Sequence, residues 1–327
     1  MKIAVYNYRE FDEAKYFEKF AKQYHVEIVK IYETPDLDNA KKAKDCLGVS
    51  VITTAITQDI IEIWHDLGVE HISTRTIGYD HIDLSAAKAN QMMVSNVTYS
   101  TASVANYTVM VMLMALRKMK MIMRRAVSFD YSLVDSIGLE IENMTVGVVG
   151  TGAIGQKVIK NLSGFGCKII AYDPFEKEAV KQYATYVSMD EIIRQSDILT
   201  FHVPALENTY HLVNQDTIAK MKDGVIIVNT ARGSVIDTGD LITALESGKI
   251  AACALDVIEN ELGLYYADYK YQVIGNHELS ILRDMPNVLL TPHMAFYTEQ
   301  AVSDMVEHSI ASIVSDRDGK ENKFRVC

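Results

Sequence analysis

Short apolar runs alternate with stretches whose apolar positions recur every three or four residues, first over residues 1–98 and again from residue 145 onward. Residues 3–6, 27–31, 49–52 and 71–74 read as strands, rich in Ile and Val. Between the first two, Phe17, Phe20, Ala21 and Tyr24 fall on one helical face, and Ile60, Ile61, Trp64 and Leu67 do so later. From residue 145 the same alternation restarts, with buried-strand patterns at 146–149, 168–172, 197–202, 225–229, 253–257 and 288–290. Alternating strand and helix patterns predict parallel sheets covered by helices on both faces. Residues 101–127 form a long methionine-rich stretch that is apolar all round, which predicts burial in a core or against a second subunit. The last helix carries Ala301, Val302, Met305, Val306, Ser309, Ile310, Ile313 and Val314 as one apolar stripe. The first 100 residues and the middle 190 therefore read as two α/β domains.

The length of 327 residues agrees with two domains, each able to bury its own core. Lys plus Arg is 32 and Asp plus Glu is 43, a formal charge of −11 with no basic run. Such a chain repels phosphate backbones and anionic lipid, so neither nucleic acid nor a membrane is an expected partner. The most apolar stretch, residues 104–116, contains Asn106 and Thr108 and is shorter than the roughly 20 residues that span a bilayer. The N-terminal run is too short and too soon polar to read as a signal peptide. Cys46, Cys167, Cys253 and Cys327 lie far apart with no CxxC and no histidine at metal-ligand spacing. Neither a disulfide framework nor a metal site is expected, and a cytoplasmic setting is.

The strongest local motif is Gly150-Thr-Gly152-Ala153-Ile154-Gly155, which follows an apolar strand and opens a helical pattern. A G-x-G-x-x-G loop there makes a tight turn, lets the backbone approach a pyrophosphate, and aims a helix N-terminus at it. The next strand pattern ends at Asp173, 21 residues past Gly152. An acid at that point accepts hydrogen bonds from the adenosine ribose and repels a 2′-phosphate, so NAD is expected rather than NADP. Three further candidates stand at the ends of later strands, where open parallel sheets bind ligands. Arg232, in Asn229-Thr230-Ala231-Arg232-Gly233, presents a planar fork suited to a carboxylate. Asp256-Val-Ile-Glu259-Asn-Glu261 follows the next strand, and Thr291-Pro292-His293 the last. His293 is suited to shuttle a proton near neutral pH, and a carboxylate such as Glu261 beside it would favour its charged form. Taken singly each has a plain structural explanation, and spacing alone does not show that Arg232, Glu261 and His293 converge.

The glycine loop, His202-Val203-Pro204, Asn229 to Gly233, Ala254-Leu-Asp256 with Glu261, and Pro292-His293 stand in the order and spacing of the D-2-hydroxyacid dehydrogenase family. The likeness extends to Arg75-Thr-Ile77-Gly78-Tyr-Asp-His-Ile-Asp83 and Asn96-Val-Thr-Tyr99-Ser100. Within the family the chain most resembles NAD-dependent D-lactate dehydrogenases, including the glycopeptide-resistance type, through residues 103–108 and 291–300. The resemblance implies two Rossmann-like or flavodoxin-like doubly wound domains with a cleft between them. Residues 1–98 with 297–327 would form the substrate-binding domain and 99–296 the NAD-binding domain. His293 would be the acid that protonates the carbonyl oxygen, Glu261 would keep it protonated, and Arg232 would bind the carboxylate. Ile77 and Gly78 would bind the substrate through backbone N–H groups, with Tyr99 and Phe296 lining the pocket beside Arg232. Asp256 would bind the nicotinamide end, and Ala153, Ile154, Val203, Pro204, Thr209, Thr230 and Ala231 map onto cofactor contacts. The resemblance also implies a homodimer through the Rossmann domains. The activity so implied is NADH-dependent reduction of a 2-oxo acid to its D-2-hydroxy acid, pyruvate first. Phe296 stands where D-lactate relatives often carry tyrosine, which keeps open a bulkier substrate such as phenylpyruvate or 2-oxoisocaproate. A non-enzymatic NAD-sensing protein is the remaining alternative.

Overall fold

The computed structural model describes all 327 residues, Met1–Cys327, and the alternating runs become two parallel sheets. The chain packs as two compact units, Met1–Ser100 with Tyr297–Cys327, and Thr101–Phe296. The change from one to the other falls two residues after the 98/99 boundary that the family resemblance implies.

In the first unit the strands are β1 (Lys2–Val5), β2 (Glu27–Lys30), β3 (Gly48–Val51), β4 (His71–Thr74) and β5 (Met93–Ser95). Its helices include α1 (Ala14–Tyr24), α2 (Gln58–Asp66) and α3 (Leu84–Ala89). All strands are parallel in the order β2-β1-β3-β4-β5. The central β3 and β4 are buried throughout, while the edge strand β2 is only half covered. One face packs Tyr6, Val49, Ile61, Trp64 and Ile72. The sequence pattern missed α3 and β5, whose six and three residues are too short to show a period.

The second unit opens with α4 (Thr101–Leu116) and α5 (Met119–Val127). It then alternates β6 (Thr145–Val149), α6 (Ala153–Leu162), β7 (Lys168–Tyr172), α7 (Glu178–Lys181), β8 (Thr185–Tyr186), α8 (Met189–Gln195) and β9 (Ile198–Phe201). After these come α9 (Gln215–Lys220), β10 (Val225–Asn229), α10 (Thr238–Glu246), β11 (Ile250–Leu255), α11 (His277–Asp284) and β12 (Val288–Leu290). The seven strands are parallel in the order β12-β11-β10-β9-β6-β7-β8, so the winding reverses between β6 and β9, the switch point where ligands of such sheets bind. The apolar stretch 101–127 is not one helix, because Lys118 adopts φ +50° and splits it. Its first part, α4, buries Ala105, Met112 and Leu116 against Val158, Ile159 and Leu162. Its second part, α5, has no buried residue.

The last helix, α12 (Glu299–Arg317), returns to the first unit. Its stripe of Val306, Ile310 and Ile313 covers the face formed by Ile3, Val5, Phe17 and Phe20. Ser309 meets Ser50 of β3 at 2.7 Å between hydroxyl oxygens, a satisfied polar pair inside an apolar layer. The tail continues back along β5, where the Val94 N–H donates to the Cys327 carbonyl (3.0 Å).

Candidate active site

At the switch point, β6 ends in the glycine loop. Gly150 has φ +94°, and a Cβ there would lie 2.6 Å from the His202 carbonyl oxygen, so only glycine fits. A Cβ on Gly155 would come within 2.0 Å of the Gly150 oxygen, which is the close helix–strand packing the motif predicts. At Gly152, the cap of α6, a Cβ would meet nothing within 4 Å, leaving open space before the helix N-terminus. Asp173 stands at the end of β7 and holds the loop as well as facing it: its Oδ2 accepts from the Thr151 N–H (2.6 Å) and its Oδ1 from the Phe175 N–H (2.9 Å). Ala153 and Ile154 form the first turn of α6. Together, the open helix end, the two tight glycines and an acid with oxygen lone pairs to spare fit a dinucleotide.

Two residues that sequence reading missed complete this loop. The buried Thr151 pairs its hydroxyl with Tyr186 of β8 (2.8 Å), and the Tyr186 oxygen also accepts from the Lys177 N–H (2.9 Å). Only the glycines of the motif carry a sequence signal, so a threonine between them was silent. His202, beside Gly150, has its imidazole pushed down to about 3 by desolvation and is neutral.

The loop after β9 carries Val203, Pro204 and Thr209. Thr209 folds it, its hydroxyl donating to the Pro204 carbonyl (2.6 Å) and accepting from the Leu206 N–H (2.9 Å). After β10, Thr230 is buried with its hydroxyl against that of Thr108 (2.8 Å). Asn229 shapes the next turn, accepting from the Ala231 N–H (3.0 Å) and donating to the Arg232 carbonyl (2.9 Å). The Arg232 guanidinium donates to the Ala231 carbonyl (2.8 Å), which sets its direction. Gly233 lies so close to the following turn that a Cβ would be 2.0 Å from the Ile258 oxygen.

That turn, residues 256–261, follows β11 and aims its acids in different directions. Asp256, only 1% exposed, turns to the loop after β12: it accepts from the Thr291 hydroxyl (2.6 Å) and from the N–H groups of Met294 (2.9 Å) and Ala295 (2.8 Å). Its visible work is therefore to hold the histidine loop, in addition to the cofactor contact expected from the resemblance. Glu261 accepts from the Ile258 N–H (3.0 Å) with one oxygen and meets His293 Nδ1 at 2.6 Å with the other. His293 has φ +51°, and its N–H donates to the Asp256 carbonyl (2.7 Å). The Tyr266 hydroxyl donates to the His293 carbonyl (2.7 Å), a contact with no counterpart in the sequence motifs. The Phe296 ring stands edge-on to the imidazole at 6.5 Å. Close by, Tyr265 keeps a buried hydroxyl without a hydrogen-bond partner, its pKa raised by burial and by the charges of Glu261 and Asp256.

The structure thus pairs Glu261 with His293 directly and packs the Arg232 turn against the turn that carries Glu261. The remaining predicted substrate residues belong to the first unit. There the fully buried Arg75 donates to Glu13 (2.9 Å), to the Ser50 hydroxyl (3.0 Å) and to the Tyr6 carbonyl (3.0 Å), anchoring the loop after β4. Within that loop the Thr76 hydroxyl donates to the Gly78 carbonyl (2.6 Å), and Asn96 donates to the Ile77 carbonyl (2.7 Å). Tyr99 follows β5 near the end of the unit.

A histidine paired with a carboxylate, a directed guanidinium and a dinucleotide loop together suit proton and hydride delivery to a carbonyl acid. Comparison with known proteins agrees. Residues 109–295 match the family described as D-isomer specific 2-hydroxyacid dehydrogenase, NAD binding domain. The chain is 40% identical over 331 residues to an aromatic 2-oxoacid reductase of Clostridium sporogenes, covering 100% of both. It is 39% identical over 316 residues to a D-lactate dehydrogenase of Lactiplantibacillus plantarum, covering 95% of each. Among solved structures it superposes on a D-2-hydroxyisocaproate dehydrogenase with a TM-score of 0.89 at 36% identity, covering 100% of this chain and 99% of the other.

Proposed function

Because the chain belongs to the D-isomer specific 2-hydroxyacid dehydrogenases and carries their NAD binding domain, we propose that it reduces pyruvate to D-lactate, with His293 as the acid. The observation that carries this reading is the 2.6 Å contact between His293 Nδ1 and Glu261. With Nδ1 so held, Nε2 is the nitrogen that gives its proton to the carbonyl oxygen, and the Glu261 carboxylate stabilises the charged ring before transfer. Bound NADH supplies the hydride. Arg232 brings a permanent positive charge and a planar set of donors for the 2-oxo acid's carboxylate. Its charge and that of His293 lower the energy of the alkoxide-like oxygen that develops. Asp256 keeps the imidazole in place by holding the backbone on its C-terminal side. Ile77, Gly78 and Tyr99 enter as substrate-binding residues on the family likeness. Membership of a dehydrogenase family removes the reading as a non-enzymatic sensor.

One observation favours a bulkier 2-oxo acid, the second reading. Phe296 presents an unbroken apolar ring edge to His293, with no hydroxyl to hydrate. The likeness to an aromatic 2-oxoacid reductase and a D-2-hydroxyisocaproate dehydrogenase points the same way. The test is NADH consumption with purified protein, comparing kcat/KM for pyruvate and phenylpyruvate. A tenfold preference, about 1.4 kcal/mol in transition-state binding, assigns whichever acid it favours. No turnover of either overturns both readings.

A homodimer formed through the second unit belongs to the same proposal. Helix α5 and the segment after it expose Met123 (57%), Val127 (82%), Phe129 (81%), Leu133 (89%) and Ile137 (83%). So many apolar side chains in one stretch are what a partner surface supplies. Sedimentation at micromolar protein should give twice the chain mass; a monomer would remove the dimer from the proposal. No helix is long and apolar enough to cross a membrane, and the cytoplasm is the compartment that belongs to this proposal.

A further inference from the structure

Beyond the three residues already assigned, a second histidine–carboxylate group lies in the same unit, and its histidine, His211, stands outside every sequence motif. His211 follows the loop of Val203 and Thr209, with φ +47° and its ring stacked face to face on Tyr210 at 3.8 Å. Its backbone N–H donates to the Ser234 carbonyl (2.9 Å), two residues past Arg232. Its Nε2 meets Glu259 Oε1 at 2.7 Å, and its Nδ1 lies 3.2 Å from Asp237, the N-cap of α10. With a carboxylate facing each ring nitrogen, the imidazolium serves both acceptors and a neutral ring only one. The other Glu259 oxygen accepts from the Thr238 N–H (2.9 Å) and hydroxyl (2.7 Å). Glu259 sits two residues before Glu261 in the 256–261 turn, and the two carboxylates face different partners. That turn is in van der Waals contact with Gly233, next to Arg232.

We propose that His211 is a positioning residue for the reaction: through Glu259 it clamps the turn that presents Glu261 to His293, and through Ser234 it ties the same loop to the turn that carries Arg232. The proposal rests on the dehydrogenase reading above. The loop that ends at His211 also carries the residues matched to cofactor contacts. The clamp therefore joins the cofactor loop to two of the three catalytic residues without touching substrate. A clamp that only stabilised a surface loop would affect melting and leave the chemistry alone; a positioning clamp moves the chemistry.

His211→Gln replaces a ring that holds Glu259 and Asp237 at once with an amide that reaches only one of them, so the clamp loses an anchor. Glu259→Gln loses the charge opposite His211 while Thr238 still has an oxygen to bond. Glu261, Asp256, Tyr265 and Tyr266, the ionisable groups around His293, are unchanged in both variants. The expected result is a kcat about tenfold lower in each, a 2-oxo acid KM within threefold, and a double variant no worse than the singles. The alkaline limb of kcat/KM moves to lower pH, because a loosened Glu261 no longer holds the His293 ring in the same way. Nuclear magnetic resonance of 15N-histidine-labelled protein follows His293 directly, assigned by its loss in His293→Gln. Its titration midpoint should fall in His211→Gln whether or not any 2-oxo acid is turned over. An inactive wild type with a shifted His293 midpoint would defeat the dehydrogenase reading and keep the clamp. A lowered melting temperature with kcat, the pH limb and the His293 midpoint all unchanged would overturn the clamp. Should His211→Gln not fold, Glu259→Gln carries the same readouts.

Discussion

On the proposed reaction, His293 gives the proton carried by Nε2. Glu261 takes Nδ1, so His293→Gln removes the donor without emptying the site. The expected loss in kcat is about 10²–10⁴-fold, with NADH affinity, read by fluorescence quenching, little changed. Asp173 makes a separate prediction. In Asp173→Ala the repulsion of a 2′-phosphate disappears, so the NADH-to-NADPH ratio of kcat/KM should fall by about tenfold or more. A ratio that stays unchanged would take the discrimination away from this acid. At this scale the strand-end motifs and the family likeness proposed Arg232, Glu261 and His293, and the structure brings Glu261 and His293 into contact. The buried clasp of Asp256 on residues 291–295 was not legible, since a carboxylate bonded to distant backbone N–H groups leaves no local pattern. Neither were Thr151 and Tyr186, which meet across 35 residues of sequence.

At the scale of elements, the turns at the strand ends pack backbone on backbone. Gly233→Ala would drive a Cβ into the Ile258 carbonyl, which cannot swing aside as a flexible side chain does. The overpacking should cost about 1–3 kcal/mol and lower the melting temperature by several degrees. It should also lower kcat, because the turns of Arg232 and Glu261 move apart; full activity with a lower melting point would separate the two effects. Strands were readable where apolar, β-branched residues ran together, as in β6, β7 and β10. The sequence patterns failed at β8, a two-residue strand. They failed also within residues 101–127, where Lys118 turns left-handed in a run with no glycine or proline to announce it.

For the whole molecule, the return of α12 to the first unit could be taken from the family likeness and not from its apolar stripe, which names a buried face without naming the partner. The join is partly ionic. Asp316 near the end of α12 lies 2.7 Å from His71 of β4, accepts from Asn322 (2.9 Å) and pairs with Arg325. Burial alone would raise its carboxyl, but the hydrogen bonds from His71, Asn322 and Arg325 outweigh this and hold it down at about 2. A carboxylate whose pKa is lower in the folded state stabilises fully above its unfolded value of about 3.9, and that contribution is lost as pH falls toward 2. Asp316→Asn should therefore lower stability at neutral pH and flatten its dependence between about pH 4 and 2. Denaturant melts across that range would show it; parallel curves for the two proteins would rule it out.

The return of α12 also bears on how the protein is made. The face formed by Ile3, Val5, Phe17 and Phe20 leaves the ribosome well before the stripe that covers it. Between the two lie the 196 residues of Thr101–Phe296, which at about 5–20 residues per second take roughly 10–40 s to translate. For that interval the nascent first unit carries an uncovered apolar surface while the second unit, unbroken in sequence, is free to fold. The first unit thus cannot close its core until a segment on the far side of the second unit has been made.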